Sequence, residues 1–422
     1  MKHLQGASGF AGVVVGVVLL SSVPGALGFT DDFTNNGYTQ GNWTFLDIAW
    51  KPSQMLVRPT SGVAADGQLS VSALGVSSED GFSEHYVLAH SSADFDGPYT
   101  VVRGSLTWSE FEYSQRLRKG LFVGGNLDTR NFHYFNIMPG DPVTGGSEIA
   151  LRRIVGGSDA LTKYGGDGGF VQPGVAYDVE LGQFGNYLWA KVWTNDPNYG
   201  VYQVSAYNSD IPWGLGDGNT LAGCGFRMKP ITHYDPFESV FLPDSRLGYF
   251  EIAASPDGSG AAGEEDQAPV PTGTSQTVSV LGTTGDPGYI QATFENTTSA
   301  GDLSVAYAAM EQEDLPIADF TVPGDTMQAW EMDFDGEFEG SVDLVFTYDD
   351  TDLLLEEELL LSIFHYEGDD WVQLDGVVDA VGNTITVTTT SFSPFALGVV
   401  PEPATLVLLS VGVLGMRRRL SA

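Results

Sequence analysis

The chain has 422 residues, with 55 Asp and Glu against 18 Lys and Arg, for a formal net charge of -37. That balance excludes nucleic acid as a partner, because phosphate binding needs a basic face. Cys224 is the only cysteine, which excludes an internal disulfide; its apolar setting in LAGCGFRM marks a buried structural residue rather than a nucleophile.

The N-terminus carries Lys2, an apolar run from Phe10 to Leu20, and small residues at Ala26 and Gly28. These are the parts of a secretory signal peptide over residues 1–28, with cleavage after Ala26 or Gly28. The alternative is an uncleaved anchor, for which the apolar run is short.

Residues 29–254 read as strands and turns. LSVSAL, YTVVRGSLTWSEFEYS, HYFNIM, EIALRRIVGG, AYDVELGQ and YLWAKVWT are separated by Gly, Asp, Asn and Pro, and no stretch shows a helical period of useful length. Many short strands with Gly-rich turns predict an antiparallel sandwich or jelly roll. In YLWAKVW, Trp189, Lys191 and Trp193 share one strand face; Leu188, Ala190 and Val192 share the other. The aliphatic face suits the core. The tryptophan face suits a sugar, whose apolar C–H face stacks on aromatic rings. Trp108 and Tyr134, on predicted strands near acids or amides, are further candidates for such a platform. The alternative is that both tryptophans of YLWAKVW fill the sandwich.

Residues 255–273, SPDGSGAAGEEDQAPVPTG, are small, acidic and Pro-containing, the composition of a flexible linker. Residues 274–398 form a second run of strand-like pieces and predict a β-sandwich. LLLEEELLL, at 353–361, is the one helix candidate there, or else a turn. MDFDGEFEGSVD, at 332–343, lacks EF-hand spacing because Phe338 stands where Gly is required; period-2 alternation explains its acids as a solvated strand face. From Arg246 to Arg417 there is no Lys or Arg between, so exposed acids there repel one another without internal neutralisation.

The chain closes on Pro401-Glu402-Pro403, an apolar run from Ala404 to Met416, and Arg417, Arg418 and Arg419. The run has 13 residues, short against the about 20 that cross a bilayer. The arginines favour the cytoplasmic side, which leaves the body outside, in agreement with the signal peptide. Residues 399–422 in this order resemble the PEP-CTERM sorting signal of Gram-negative bacteria. The resemblance implies recognition by an exosortase, transient residence of a C-terminal transmembrane helix in the inner membrane, and a host that makes exopolysaccharide or biofilm.

In the first unit, FTDDF, ADGQLSVSA, YTVVRGSLTW, HYFNI, YDVELGQFGNYLWAKV and RLGYFEIA follow an order that resembles the concanavalin A-like superfamily, including laminin-G-like domains. The resemblance implies a two-sheet jelly roll, often with sugar on a concave face and sometimes calcium at the rim. Asp31, Asp32 and Glu251 are the oxygen ligands it suggests for calcium. Glucanase members carry Glu-x-Asp-x-x-Glu on one strand, and the nearest match is Glu110 and Glu112 beside Trp108, with the middle Asp and third Glu missing. As strand residues the two acids would share one face, as glycoside hydrolysis by paired carboxylates requires.

The expectation is an all-β, exported, non-enzymatic surface or matrix protein that binds glycan through its first domain. A hydrolase using Glu110 and Glu112 and a purely structural matrix protein are the alternatives.

Overall fold

The computed structural model describes residues 29–399 apart from 52–53, 75–83, 93–94, 96–97, 116, 141–147, 157, 167–170, 195–200, 209, 212–217, 229–236, 244–249, 254–263, 312–319, 322–325, 352 and 369. The stretch 1–28 expected to be a signal peptide, the first part of the expected linker and the sorting residues Pro401 to Arg419 lie outside these.

The described residues build four antiparallel sheets of nine, eight, six and five strands. The first two come from residues 29–253 and the last two from 264–399, and among the described residues no strand of one unit pairs with a strand of the other. The fold is all-β, and the first unit is the two-sheet sandwich that the concanavalin A-like resemblance implies. Residues 264–270, assigned by composition to the linker, instead form the strand Glu264–Val270, paired with Gly301–Glu311. Paired backbone compensates there for a composition poor in apolar side chains.

In the nine-stranded sheet the central path runs Tyr202–Tyr207, Tyr187–Trp193, Ala176–Phe184, Tyr99–Thr107, Phe237–Leu242, Gln68–Ala73, Gly62–Ala65. The eight-stranded sheet runs Ser158–Gly166, Glu148–Val155, Asn131–Met138, Arg118–Asn126, Leu221–Met228, Glu84–Ser91, Trp43–Lys51, Gln54–Pro59. Strand alternation decides what lies between them. Val102, Val179, Leu181, Leu188, Ala190 and Val192 from one sheet meet Leu121, Val123, Phe135, Ile137, Leu151 and Cys224 from the other. Burial raises the pKa of the Cys224 thiol, which keeps it inert.

The alternate residues of the nine-stranded sheet face outward, and the second unit covers them. Tyr99, Val101, Phe184, Tyr187 and Trp189 form one apolar cluster with Ala306, Ala308, Phe320, Met327, Ala329, Phe364, Tyr366 and Ala396. The Tyr187 ring meets Tyr366 edge-on at 4.8 Å and Trp371 at 5.7 Å. The two sandwiches therefore share a core of their own. At its margin the hairpin between Ala176–Phe184 and Tyr187–Trp193 presents Gly185, at φ +56°, to Glu331, where any Cβ would strike the glutamate Cγ at 2.1 Å.

Candidate functional site

The strand face of Trp189 and Lys191 points away from the core of the first sandwich. Trp189 is buried beneath the second sandwich and donates Nε1–H to Glu180 at 3.1 Å. Glu180 also takes Arg103 Nε at 2.7 Å and Lys191 Nζ at 2.9 Å. Burial alone would raise its carboxyl pKa; the two cations outweigh that and hold it below the ordinary value. Trp108 lies inside the first sandwich, donating Nε1–H to the Leu117 carbonyl at 2.8 Å. Tyr134 is buried as well. Of the four aromatic candidates only Trp193 keeps partial exposure. Single-strand alternation separates two faces but does not tell which of them another sheet will cover.

Glu110 and Glu112 do not share a strand face. Residues Glu110–Ser114 form a short helix capped by Ser109, whose side chain accepts from Glu112 N while Glu112 Oε2 accepts from Ser109 N. Ser-x-x-Glu is a capping box, and its local bonds override the strand reading. Glu112 is buried and lies 3.0 Å from Lys119 Nζ. One member is thus neutralised in the interior and the other is exposed on the helix, so the pair cannot flank a glycosidic bond.

The acids proposed for calcium are otherwise engaged. Asp31 accepts from Phe33 N at 2.8 Å, Thr39 Oγ1 at 2.7 Å and Trp43 Nε1 at 3.0 Å. Asp32 accepts from Thr34 N and Oγ1. Phe250, not Glu251, stands opposite Asp31 in the paired strands. Asp31 and Asp32 tie down a turn and do not fit a cation site. Among the described residues no group of three or more His, Cys, Asp or Glu converges to hold a metal ion.

The arrangement that does converge lies on the outer face of the eight-stranded sheet. Arg118, Tyr134, Asn136, Glu148, Arg152 and Arg227 occupy alternate positions that leave the core residues on the opposite face. Glu148 accepts from Arg152 Nε at 2.7 Å and lies 3.6 Å from Arg118. Asp159 lies 3.1 Å from Arg152 Nη1 and 2.7 Å from Arg227 Nη1. The Arg227 guanidinium sits over the Tyr86 ring at 5.4 Å.

The Arg227–Asp159 contact reveals the shape of this face. Their strands stand four places apart in the sheet, about 19 Å at the usual strand spacing. No arginine and aspartate bridge that distance across a flat sheet. The sheet is curled and this face is concave. Glycines permit the close floor: a Cβ on Gly120 would lie 1.6 Å from the Phe135 carbonyl oxygen, and one on Gly225 would meet Leu88 at 2.6 Å. Across Gly120 the Tyr134 hydroxyl reaches the strand beyond and donates to Gly225 O at 3.0 Å. Leu46, Ile48, Leu88, Phe122 and Phe132 complete an apolar floor with Tyr86 and Tyr134.

Arg118 Nε and Asn136 Oδ1 have no hydrogen-bond partner among the described residues, and Asn136 is fully buried. Burial, followed by the nearby charges of Arg227 and Arg152 and against that of Glu148, lowers the pKa of Arg118. Donors and acceptors thus alternate along one concave wall, as sugar hydroxyls require, since each hydroxyl both donates and accepts. Strand alternation alone does not single out these residues. The available signal was a pair of charges, Glu148 and Arg152, embedded in the otherwise apolar strand EIALRRIV.

Residues 399–419 match the model of the PEP-CTERM protein-sorting motif. The motif marks an exported protein sorted to the cell envelope. No curated protein matches the chain. Among solved structures, the chain is similar to the carbohydrate-binding module CBM66 from Bacillus subtilis, at 11% identity and a TM-score of 0.29, over 44% of this chain and 89% of that one. A Bacillus subtilis protein of unknown function with a galectin-like fold gives 11% identity and 0.33, over 54% and 96%. The lectin from Bauhinia forficata, in complex with GalNAc, gives 14% and 0.31, over 54% and 97%.

Proposed function

We propose that this protein is a non-enzymatic component of the bacterial surface or biofilm matrix, and that it binds glycan in the concave face of its first sandwich. The observation that carries the reading is the chain Arg118–Glu148–Arg152–Asp159–Arg227, held across a curled sheet over Tyr134 and Tyr86. Its side chains interlock on a rigid sheet, so little ordering remains when a ligand arrives. A neutral polysaccharide suits it best: the cluster is nearly balanced in charge, and a chain of net charge -37 repels polyanions. Each carboxylate is bound by guanidinium, which favours recognition of hydroxyls over general acid catalysis.

An exosortase-type enzyme is the proposed partner of Pro401-Glu402-Pro403, with the run 404–416 held in the inner membrane and Arg417, Arg418 and Arg419 on the cytoplasmic side until release. The second sandwich serves as a spacer.

The test is retention of the full chain on neutral and acidic exopolysaccharides, with and without EDTA. Asp159→Asn is expected to weaken retention on a neutral polymer about 10-fold or more, as for loss of a charge-assisted bond of about 1.5–3 kcal/mol, with the circular dichroism unchanged. Insensitivity to EDTA is expected from the engaged carboxylates of Asp31 and Asp32. Absence of retention on every polymer, the host's own matrix included, would overturn glycan binding and leave a structural matrix protein; release of reducing sugar would restore the hydrolase.

A further inference from the structure

The segment LLLEEELLL folds around one helical turn, Leu355–Glu358. At a protein surface such a segment ordinarily turns its leucines in and its acids out. Here Leu353 and Leu361 keep that order, packed in or against the core of the second sandwich, while Leu354, Glu358, Leu359 and Leu360 reverse it. Glu358 is buried and accepts from the Tyr348 hydroxyl at 3.0 Å, whereas Leu354, Leu359 and Leu360 are 59%, 64% and 53% exposed. The inversion is pinned by the backbone: Leu354 N donates to Glu357 Oε2 at 2.9 Å, Glu358 N to Leu354 O at 3.0 Å, and Leu360 N to Glu357 O at 3.0 Å. Val381, 98% exposed, stands on a turn bound to the same Tyr348, whose N donates to Asn383 O at 3.0 Å while its hydroxyl donates to Glu358.

The place of the rim points to its occupant. Leu361, next to Leu360, pairs with Val399 at the close of the last strand. The chain therefore leaves the second sandwich beside the exposed leucines. Only Val400 to Pro403 separate Val399 from the apolar run that starts at Ala404; fully extended, those five steps span about 17 Å. That run is also short for a lone anchor, and weak membrane attachment becomes durable when a second contact is added.

We infer that Leu354, Leu359, Leu360 and Val381 form a foot that seats the second sandwich on the lipid surface while the C-terminal run is in the membrane. The inference rests on the membrane placement of residues 404–416 proposed above. Leucines enter the interfacial layer by burying apolar area, and the acids around the rim favour weakly charged headgroups over anionic ones. Release of the tail would remove the tether and let the foot detach.

The full chain, reconstituted in phosphatidylethanolamine vesicles with a minor share of phosphatidylglycerol, tests this. Leu359→Cys and Val381→Cys each carry an environment-sensitive label, and Thr298→Cys, at the far end of the same sandwich, is the control; the buried Cys224 stays unlabelled. The expected result is a blue shift and loss of emission to a lipid-borne quencher at 359 and 381, with neither at 298. Flotation reads the tail separately. A chain that floats with the vesicles while its labels at 359 and 381 stay unquenched overturns the foot and spares the anchor. A chain that does not float removes the anchor, and the foot with it. A blue shift that grows with protein concentration without vesicles assigns the rim to a second copy and overturns the lipid contact.

Discussion

Lys119 shows how much a single residue can decide. It lies between the sheets of the first sandwich, 3.0 Å from Glu112, donating to Val240 O at 3.2 Å and to Thr107 O, with the rings of Trp108 and Phe241 each 5.6 Å away. Burial lowers its pKa from 10.5 to about 8 despite the Glu112 charge. Between those values the unfolded chain holds the proton and the folded one does not, so stability rises with pH across that window. Lys119→Met should flatten that slope in urea unfolding. Glu112→Gln strands a buried ammonium and should cost about 3–5 kcal/mol at neutral pH. If Glu112→Gln unfolds like the parent, the pair is not the structural bridge described. In the trough, by contrast, Arg118 Nε and Asn136 Oδ1 have no hydrogen-bond partner among the described residues.

At the scale of elements, the hairpin at Gly185 and the strand Thr326–Phe334 decide how the units join. Glu331 is buried at that joint, 3.4 Å from Asn186 N, with one carboxylate oxygen unpartnered. Asn186 Nδ2 donates to the Tyr207 hydroxyl at 3.3 Å alongside. Burial raises the Glu331 pKa well above 4.5, and Asp333 adds to the rise while Asn186 and Tyr207 oppose it. A raised folded pKa favours the protonated fold. That share of stability is complete below the unfolded value and is lost as pH rises through the folded one. Glu331→Gln should therefore gain on the parent in melting temperature as pH rises from about 4.5, the ordinary value. A constant difference from pH 4 to 8 would show that Glu331 reaches solvent.

Across the whole molecule, charge is segregated. Of the 55 acids, 31 fall between Arg246 and Arg417, where no Lys or Arg stands; every basic residue between the two terminal segments belongs to the first unit. Repulsion within the second sandwich is screened by salt. The melting temperature of the full chain should rise from low to physiological ionic strength, and more with magnesium than with sodium at equal ionic strength. A melting temperature flat in both salts would mean that these acids are too dispersed to interact. Of the two sandwiches, the same segregation leaves only the first with arginines that can assemble.

Residue order alone makes the chain legible as all-β, acidic and tailed by a sorting motif, because alternation, composition and a linear signal are local properties. It separated the aliphatic face of Leu188, Ala190 and Val192 from the face of Trp189 and Lys191. It also singled out LLLEEELLL as the one helix candidate of the second unit. What covers each face comes from the fold. Trp189 lies under a second sandwich more than a hundred residues away in the chain, and Glu112 turns inward through a capping box. Arg227 meets Asp159 only because the intervening strands curl. Those outcomes depend on long-range contacts and sheet curvature, to which no single strand's pattern is sensitive.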